Sequence, residues 1–89
     1  MAKTIEFAPE AVRELGKLDQ QVSRRILNFL RNRVARLENP RRIGSALQGP
    51  RFGELWKYRV GDYRIIARIE DTRMVVLVLR IGHRREVYR

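Results

Sequence analysis

Nearly every side-chain type that is useful for cutting an RNA strand occurs between Gly82 and Arg89, a segment that reads GHRREVYR. In metal-independent cleavage, a base removes the proton of a ribose 2′-hydroxyl, and the resulting oxygen attacks the adjacent phosphorus. Cations stabilise the charge on the phosphate oxygens, and an acid protonates the departing 5′-oxygen. The products would be a 2′,3′-cyclic phosphate and a 5′-hydroxyl.

A metal or other cofactor is not expected to take part in such a reaction. The chain has one histidine, no cysteine and scattered acidic residues. These residues do not assemble a typical metal cage, which needs three or four imidazole, thiolate or carboxylate ligands. The sequence therefore predicts no metal site and no cofactor.

The charge of the chain indicates a polyanionic partner. Twenty basic residues oppose 10 acidic ones, for a net charge of +10 on 89 residues, and 17 of the 20 are arginines. The planar guanidinium group suits phosphates and stacked bases better than an ammonium group does. A merely solubilising surface is the plain alternative, although solubility needs a net charge of only about 2–8 in a small domain.

Three strands are predicted in the second half of the chain, at about 55–60, 63–70 and 74–81, because the apolar period there is two. Side chains alternate between the faces of a strand, so Trp56, Tyr58, Tyr63 and Ile65 should pack toward the helices. The opposite face should then carry a row of cations: Lys57, Arg59, Arg64, Arg68 and Arg80. Their mutual repulsion makes a bound anion the simplest compensation.

The first half supplies the elements that support this sheet. We expect a strand at Thr4–Phe7, a helix from about Pro9 to Leu18, and a second helix that Asp19 caps and that continues to Leu37. Residues 40–53 are expected to form a loop with one turn of helix around 45–47. The arginines of the second helix, at 24, 25, 31, 33 and 36, fit a solvated exterior better than a site.

The predicted fold class is therefore α+β, with two N-terminal helices packed on one face of a small, mainly antiparallel, four-stranded sheet in the order β-α-α-β-β-β. Residues 1–89 are expected to form a single domain. The longest apolar run, from Met74 to Leu79, is too short to span a membrane, and the N-terminus lacks the pattern of a secretion signal. Together with the absence of cysteine, this favours a cytoplasmic location.

Two separated stretches of the sequence carry a family resemblance. They are LWKYRVGDYRII, from Leu55 to Ile66, and GHRREVY, from Gly82 to Tyr88. Together they resemble the RelE branch of the RelE/ParE toxin superfamily, and the likeness extends over nearly the whole chain. The resemblance implies a RelE-like fold over residues 1–89.

The resemblance also implies roles for four residues. Lys57 matches a lysine that contributes to base catalysis and charge stabilisation, and Arg64 matches an arginine that stabilises the transition state. Arg84 matches the arginine on the leaving-group side. Tyr88 matches a tyrosine that stacks on the messenger and orients or activates the 2′-hydroxyl.

Further candidates for catalysis or RNA binding are Arg59, Arg68, Arg80, His83 and Arg85. Histidine is a common general acid or base, which makes His83 a candidate, although relatives often carry lysine or another polar residue close to this position. The sequence also departs from some relatives, which have a second lysine where this chain has Leu55. Base catalysis is therefore expected to depend on fewer groups.

The resemblance implies the toxin of a type II toxin–antitoxin system that cuts messenger RNA on the ribosome and so inhibits translation. Its expected partners are a RelB-like antitoxin, the ribosome and the messenger, with operator DNA contacted only through the antitoxin complex and no contact with a membrane. A ParE-like inhibitor of DNA gyrase on the same fold is the main rival. A noncatalytic RNA-binding protein is the third hypothesis.

Overall fold

A computed structural model describes residues 3–47 and 54–86 of the chain. Two helices and five strands make up the main elements, and two short 3-10 helices lie between α2 and β2 at Val34–Arg36 and Pro40–Arg42. In chain order the main elements are β1 (Thr4–Phe7), α1 (Pro9–Gly16), α2 (Gln20–Asn32), β2 (Ser45–Ala46), β3 (Trp56–Val60), β4 (Tyr63–Glu70) and β5 (Val75–His83).

The strands form one sheet in the order β1-β5-β4-β3-β2. The β1 strand runs parallel to β5, and the remaining neighbours are antiparallel. The predicted α+β class and the order of the long elements are therefore confirmed. The parallel pair brings the first strand of the described chain against the last one.

The sheet has one strand more than expected. Residues Ser45 and Ala46, predicted within a loop and a turn of helix, pair with Lys57 and Trp56 as the edge strand β2. Two residues are too few to display an alternating apolar pattern, so the sequence gives no signal for this strand. The prediction of four strands is wrong for this reason.

The second helix begins as predicted but ends early. The carboxylate of Asp19 accepts a hydrogen bond from the backbone N–H of Gln21 at 3.0 Å, which is an N-cap. The α2 helix ends at Asn32, and the chain tightens into a 3-10 turn that keeps Val34 and Ala35 buried. The apolar stripe therefore continues past the end of the α-helix, which explains why the prediction extended to Leu37.

The hydrophobic core lies between the helices and one face of the sheet. The α2 helix contributes Ile26 and Leu30, and the sheet contributes Tyr58, Ile65 and further aliphatic side chains from β3, β4 and β5. Tyr58 also meets Phe29 of α2 edge to face, with ring centroids 5.9 Å apart. Trp56 and Tyr63 pack against the same cluster, which confirms the predicted helix-facing side.

Two aromatic side chains of β3 hold the segment that precedes β2. The Tyr58 hydroxyl donates to the carbonyl of Pro40 at 2.6 Å, and the Trp56 indole N–H donates to the carbonyl of Ile43 at 2.8 Å. Gly44 has a φ of +83°, and a Cβ there would lie 2.4 Å from the carbonyl oxygen of Lys57. Only glycine tolerates both this backbone conformation and this close approach.

Among the described residues, no helix has the length and the apolar content that crossing a membrane requires.

Candidate functional site

The candidate site is the side of the sheet that faces away from the helices, called here the open face. In the pairing of β3 with β4, Lys57 lies opposite Ile66 and Arg59 lies opposite Arg64. Arg64 is therefore a diagonal neighbour of Lys57, a relation in which Cα atoms are about 7–8 Å apart. The prediction that Lys57, Arg59 and Arg64 share one surface is confirmed, and Arg68 lies on the same surface, two residues beyond Ile66.

The open face has an apolar floor beneath its cations. Ile66 is only 4% exposed although it points away from the helices. Its register neighbours are Lys57 on β3 and Arg80 on β5. The aliphatic stems of such side chains can cover an apolar residue while their charged ends stay in water. Ile66 is therefore an apolar, buried position within a face that otherwise carries cations.

One end of the open face has no compensating acid. Within residues 3–47 and 54–86, no carboxylate lies within salt-bridge distance of Lys57, Arg59, Arg64 or Arg68. Arg64 instead donates to the carbonyls of Gly61 and Tyr63, at 3.1 and 3.2 Å. The guanidinium group of Arg64 is thereby held at the turn between β3 and β4.

The opposite end of the open face is neutralised. Arg73 pairs with Glu70 at 3.1 Å and with Glu6 at 3.3 Å. These two acids lie on the same face as Arg68, since Glu6 and Arg68 both pair with Leu77 of β5. The unbalanced positive charge is therefore concentrated toward the β3–β4 turn, where an anion would gain most.

Arg80 does not join the unpaired cations. Its register position lies opposite Ile66, but its guanidinium group reaches Glu14 of α1, with N–O distances of 2.9 to 3.1 Å. Hydrogen bonding to Glu14 raises the pKa of Arg80. The charge of Arg80 is therefore already compensated within the protein.

The segment after β5 begins beside the β3–β4 turn. The backbone N–H of Arg84 donates to the carbonyl of Asp62 at 2.8 Å, and the Arg84 and Arg85 side chains are exposed. The backbone of Arg84 is thus anchored at the same turn that holds the guanidinium group of Arg64. Tyr88, the fourth predicted catalytic residue, lies outside the described residues.

His83 lies on the other side of the sheet. It pairs in register with Tyr63, and the two rings meet edge to face with centroids 5.8 Å apart. Its Nδ1 atom accepts a hydrogen bond from the backbone N–H of Arg85 at 3.3 Å. The structure therefore separates the imidazole from Lys57 and Arg64 by the thickness of the sheet.

A shallow cleft of about 310 Å³ lies on the His83 side, between α1 and the end of β5. Three acids (Glu10, Glu14, Glu86), Lys17 and His83 contribute to its lining. Within the described part of the chain, no group of three histidine or acidic side chains is arranged to hold a metal ion.

Glu14 is the residue that sequence reasoning missed. Its sequence neighbourhood resembles that of Glu10, whose one ion pair within the described residues is the local contact with Arg13 at 3.5 Å. Glu14 instead contacts residues that are 66 and 67 positions away in the chain. No periodicity in α1 distinguishes the two acids, because the difference arises only when α1 packs on β5.

Comparison with known proteins identifies the family. The family model described as the ParE toxin of the type II toxin-antitoxin system, parDE, matches residues 5–88. Toxin RelG of Mycobacterium tuberculosis is 33% identical over 89 residues, covering 100% of this chain and 99% of the relative. Toxin RelE of the same organism is 32% identical over 85 residues, covering 96% of this chain and 84% of the relative.

Solved structures agree with the sequence comparison. A chain of the toxin-antitoxin complex RelBE2 from M. tuberculosis gives a TM-score of 0.84 at 29% identity, with 93% of this chain and 92% of that chain covered. A mutant of the E. coli toxin RelE in the free state gives a TM-score of 0.75 at 27% identity, with 93% and 84% covered. By sequence and by fold, the chain belongs to the RelE/ParE superfamily of toxins of type II toxin–antitoxin systems.

Proposed function

We propose that this toxin is a ribosome-dependent endonuclease that cuts messenger RNA without a metal ion and thereby inhibits translation in the cytoplasm. The observation that carries the proposal is that the Arg64 side chain and the Arg84 backbone are both anchored at the β3–β4 turn. Arg64 donates to Gly61 at 3.1 Å, and the backbone of Arg84 donates to Asp62 at 2.8 Å. Lys57 and Arg59 lie beside them without an acidic partner in the described chain.

The roles of these residues follow from where charge develops during the reaction. Lys57 would stabilise the attacking oxygen and assist its deprotonation, and Arg64 would stabilise the crowded phosphorane. Arg84 would act at the leaving 5′-oxygen, and Tyr88 would stack on the messenger and orient the 2′-hydroxyl. Removing one such preorganised donor typically slows a reaction about 10²–10³-fold.

The remaining candidates have supporting roles in this proposal. Arg59 and Arg68 extend the unpaired positive surface along the messenger backbone, and Arg85 adds charge next to Arg84. Neither Arg80 nor His83 contacts the reacting phosphate, because Arg80 is paired with Glu14 and His83 lies on the helix-facing side.

An acidic, RelB-like antitoxin would silence the toxin by covering the open face. The net charge of +10 favours such a partner, and like charges without counterions make its binding favourable. Relatives include chains solved in RelB–RelE complexes from E. coli and from Pyrococcus horikoshii. Any contact with operator DNA would be made through the antitoxin complex.

A second candidate function is inhibition of DNA gyrase. It is favoured by the family model, whose description names the ParE toxin. A gyrase inhibitor acts by binding and does not need Lys57, Arg64 and Arg84 to act on a phosphate. The two functions therefore respond differently to substitutions on the open face.

The test is cleavage of messenger on programmed ribosomes, with gyrase supercoiling measured in parallel. We expect the wild type to cut ribosome-bound messenger and the Arg84→Ala and Tyr88→Ala variants to be about 10²–10³-fold slower in single turnover. The control is Arg13→Gln, which removes an exposed arginine of α1 that is 64% accessible and whose one acidic partner among the described residues is Glu10. It should cleave at the wild-type rate.

If ribosome-bound messenger remains intact in the presence of the folded wild type, the proposed nuclease function is ruled out. Inhibition of supercoiling that is insensitive to both substitutions would assign the protein to the gyrase-directed class.

A further inference from the structure

The outer edge of β5 loses its neighbouring strand halfway along. The β1 strand pairs with β5 from Val75 to Val78 and then turns away, where the N–H of Ala8 donates to the carbonyl of Val78 at 2.8 Å. From Leu79 to His83, no strand among the described residues pairs with that edge. Backbone N–H groups on such an edge need another partner.

Glu14 supplies that partner from α1. Its Oε1 atom accepts the backbone N–H of Ile81 at 2.9 Å, and its two oxygens accept the Arg80 guanidinium at 2.9 to 3.1 Å. The Glu14 side chain is 18% exposed, and that of Arg80 is 35% exposed. A bidentate pair with this geometry and burial is stronger than a single exposed contact.

The bond to Ile81 is close to a proposed catalytic residue. Only Gly82 and His83 lie between Ile81 and Arg84, and on the inner edge these two residues pair with Arg64 and Tyr63 of β4. Arg84 itself is held by its bond to Asp62. The end of β5 therefore has β4 on one edge and the Glu14 carboxylate on the other.

We propose that Glu14 is a positioning residue for Arg84, which fixes the end of β5 by clamping Ile81 and Arg80 from α1. Without the clamp, the last residues of β5 would be held on one edge only, and the exposed Arg84 would sample more positions. A displacement of about 1 Å in a catalytic group can cost about 10²-fold in rate. The link to catalysis rests on the proposed nuclease function, whereas the mechanical link from Glu14 to Arg84 does not.

Burial opposes the charge of Glu14, but the hydrogen bonds from Arg80 and Ile81 prevail and lower the pKa of Glu14. The clamp is therefore charged at neutral pH. Glutamine at this position could still accept from Ile81 but would lose the ion pair, whereas alanine would lose both contacts. The two substitutions thus separate the hydrogen bond from the charge.

The mechanical link is tested by amide hydrogen exchange on the full chain. We expect Glu14→Ala to accelerate exchange at both Ile81 and Arg84 by about tenfold or more, relative to core amides such as Leu30. Glu14→Gln should give a smaller effect, and Glu10→Ala, which alters an acid on the same helix, should give none. Faster exchange at Ile81 with unchanged exchange at Arg84 would overturn the proposal, as would unchanged exchange at both.

The catalytic consequence is tested by a double-mutant cycle between Glu14 and Arg84. Glu14→Ala should lower kcat about 10–100-fold with KM within about twofold, and it should have little further effect when Arg84 is already alanine. Additive losses would show that Glu14 does not act through Arg84. The exchange measurement decides the mechanical link even if the wild type cuts no RNA, a result that would overturn the proposed function alone.

Discussion

The strands β3 and β4 form two faces, one with buried apolar side chains and one with exposed cations. On the helix-facing side, Tyr58 and Ile65 are 1% and 0% exposed and fill a core without unsatisfied buried side-chain polar atoms in the described chain. On the open face, Arg59 and Arg68 are exposed and have no acidic partner among those residues. One face of the sheet therefore stabilises the fold, whereas the other presents positive charge to solvent. If the proposed function is correct, substitutions at adjacent residues should affect stability and activity separately.

The largest effect is expected from Ile65→Ala on the helix-facing side. This substitution empties part of a fully buried site and should lower the free energy of unfolding by about 2–5 kcal/mol. That is a large share of the total, which is about 4–13 kcal/mol for a chain of this size. Urea denaturation measures it, and a loss below about 1 kcal/mol would show that this face is not the stabilising one.

The substitution Arg64→Ala, at the neighbouring residue, should slow cleavage but leave the stability of the fold nearly unchanged. Removing a preorganised cation should slow messenger cleavage about 10²–10³-fold, equivalent to about 2.7–4 kcal/mol of transition-state stabilisation. The free energy of unfolding should change by only about 0.5 kcal/mol, as is usual on a surface. Single-turnover cleavage and urea denaturation of the same sample provide both values. An equal loss in both would contradict the separation of the two faces.

A smaller effect on stability is expected from Tyr58→Phe. It leaves the ring in the core but removes the hydroxyl that donates to the carbonyl of Pro40 at 2.6 Å. The buried carbonyl of Pro40 then lacks its hydrogen-bond donor. An unsatisfied buried group costs about 1–3 kcal/mol. Thermal denaturation measures the loss, while cleavage by the folded variant should match the wild type. A variant that retains stability but loses cleavage would show that Tyr58 serves the open face instead.

The alternation of the two faces could be predicted from the sequence because it depends only on a period of two. Trp56 and Tyr58 differ in type from Lys57 and Arg59, and a strand must send the two pairs to opposite sides. The N-cap at Asp19 could likewise be predicted, because the backbone N–H that it accepts from belongs to Gln21, two residues away. Local rules are sufficient wherever the interacting groups are close in the chain.

The features that could not be predicted depend on contacts between distant parts of the chain. Arg80 lies opposite Ile66 on the open face, as the predicted cationic row requires, yet its charge is compensated by Glu14 across 66 positions. A register shift between Ile66 and Ala67 in the pairing of β4 with β5 also alters the alternation near Arg80. The two residues of β2 form a strand by pairing with the edge of β3. Such outcomes are decided by how the elements pack, and no single segment encodes them.

The position of β5 in the sheet has a consequence for biosynthesis. Of the strands in the described chain β5 is the last to be translated, yet it lies between β1 and β4 and pairs Thr4 with Val75. The β1 strand therefore has no neighbouring strand until Val75–Val78 have been synthesised, and such nonlocal pairing is slow. A nascent chain that ends before β5 would therefore have neither a complete sheet nor Arg84, and on the proposed function it would not yet be able to act.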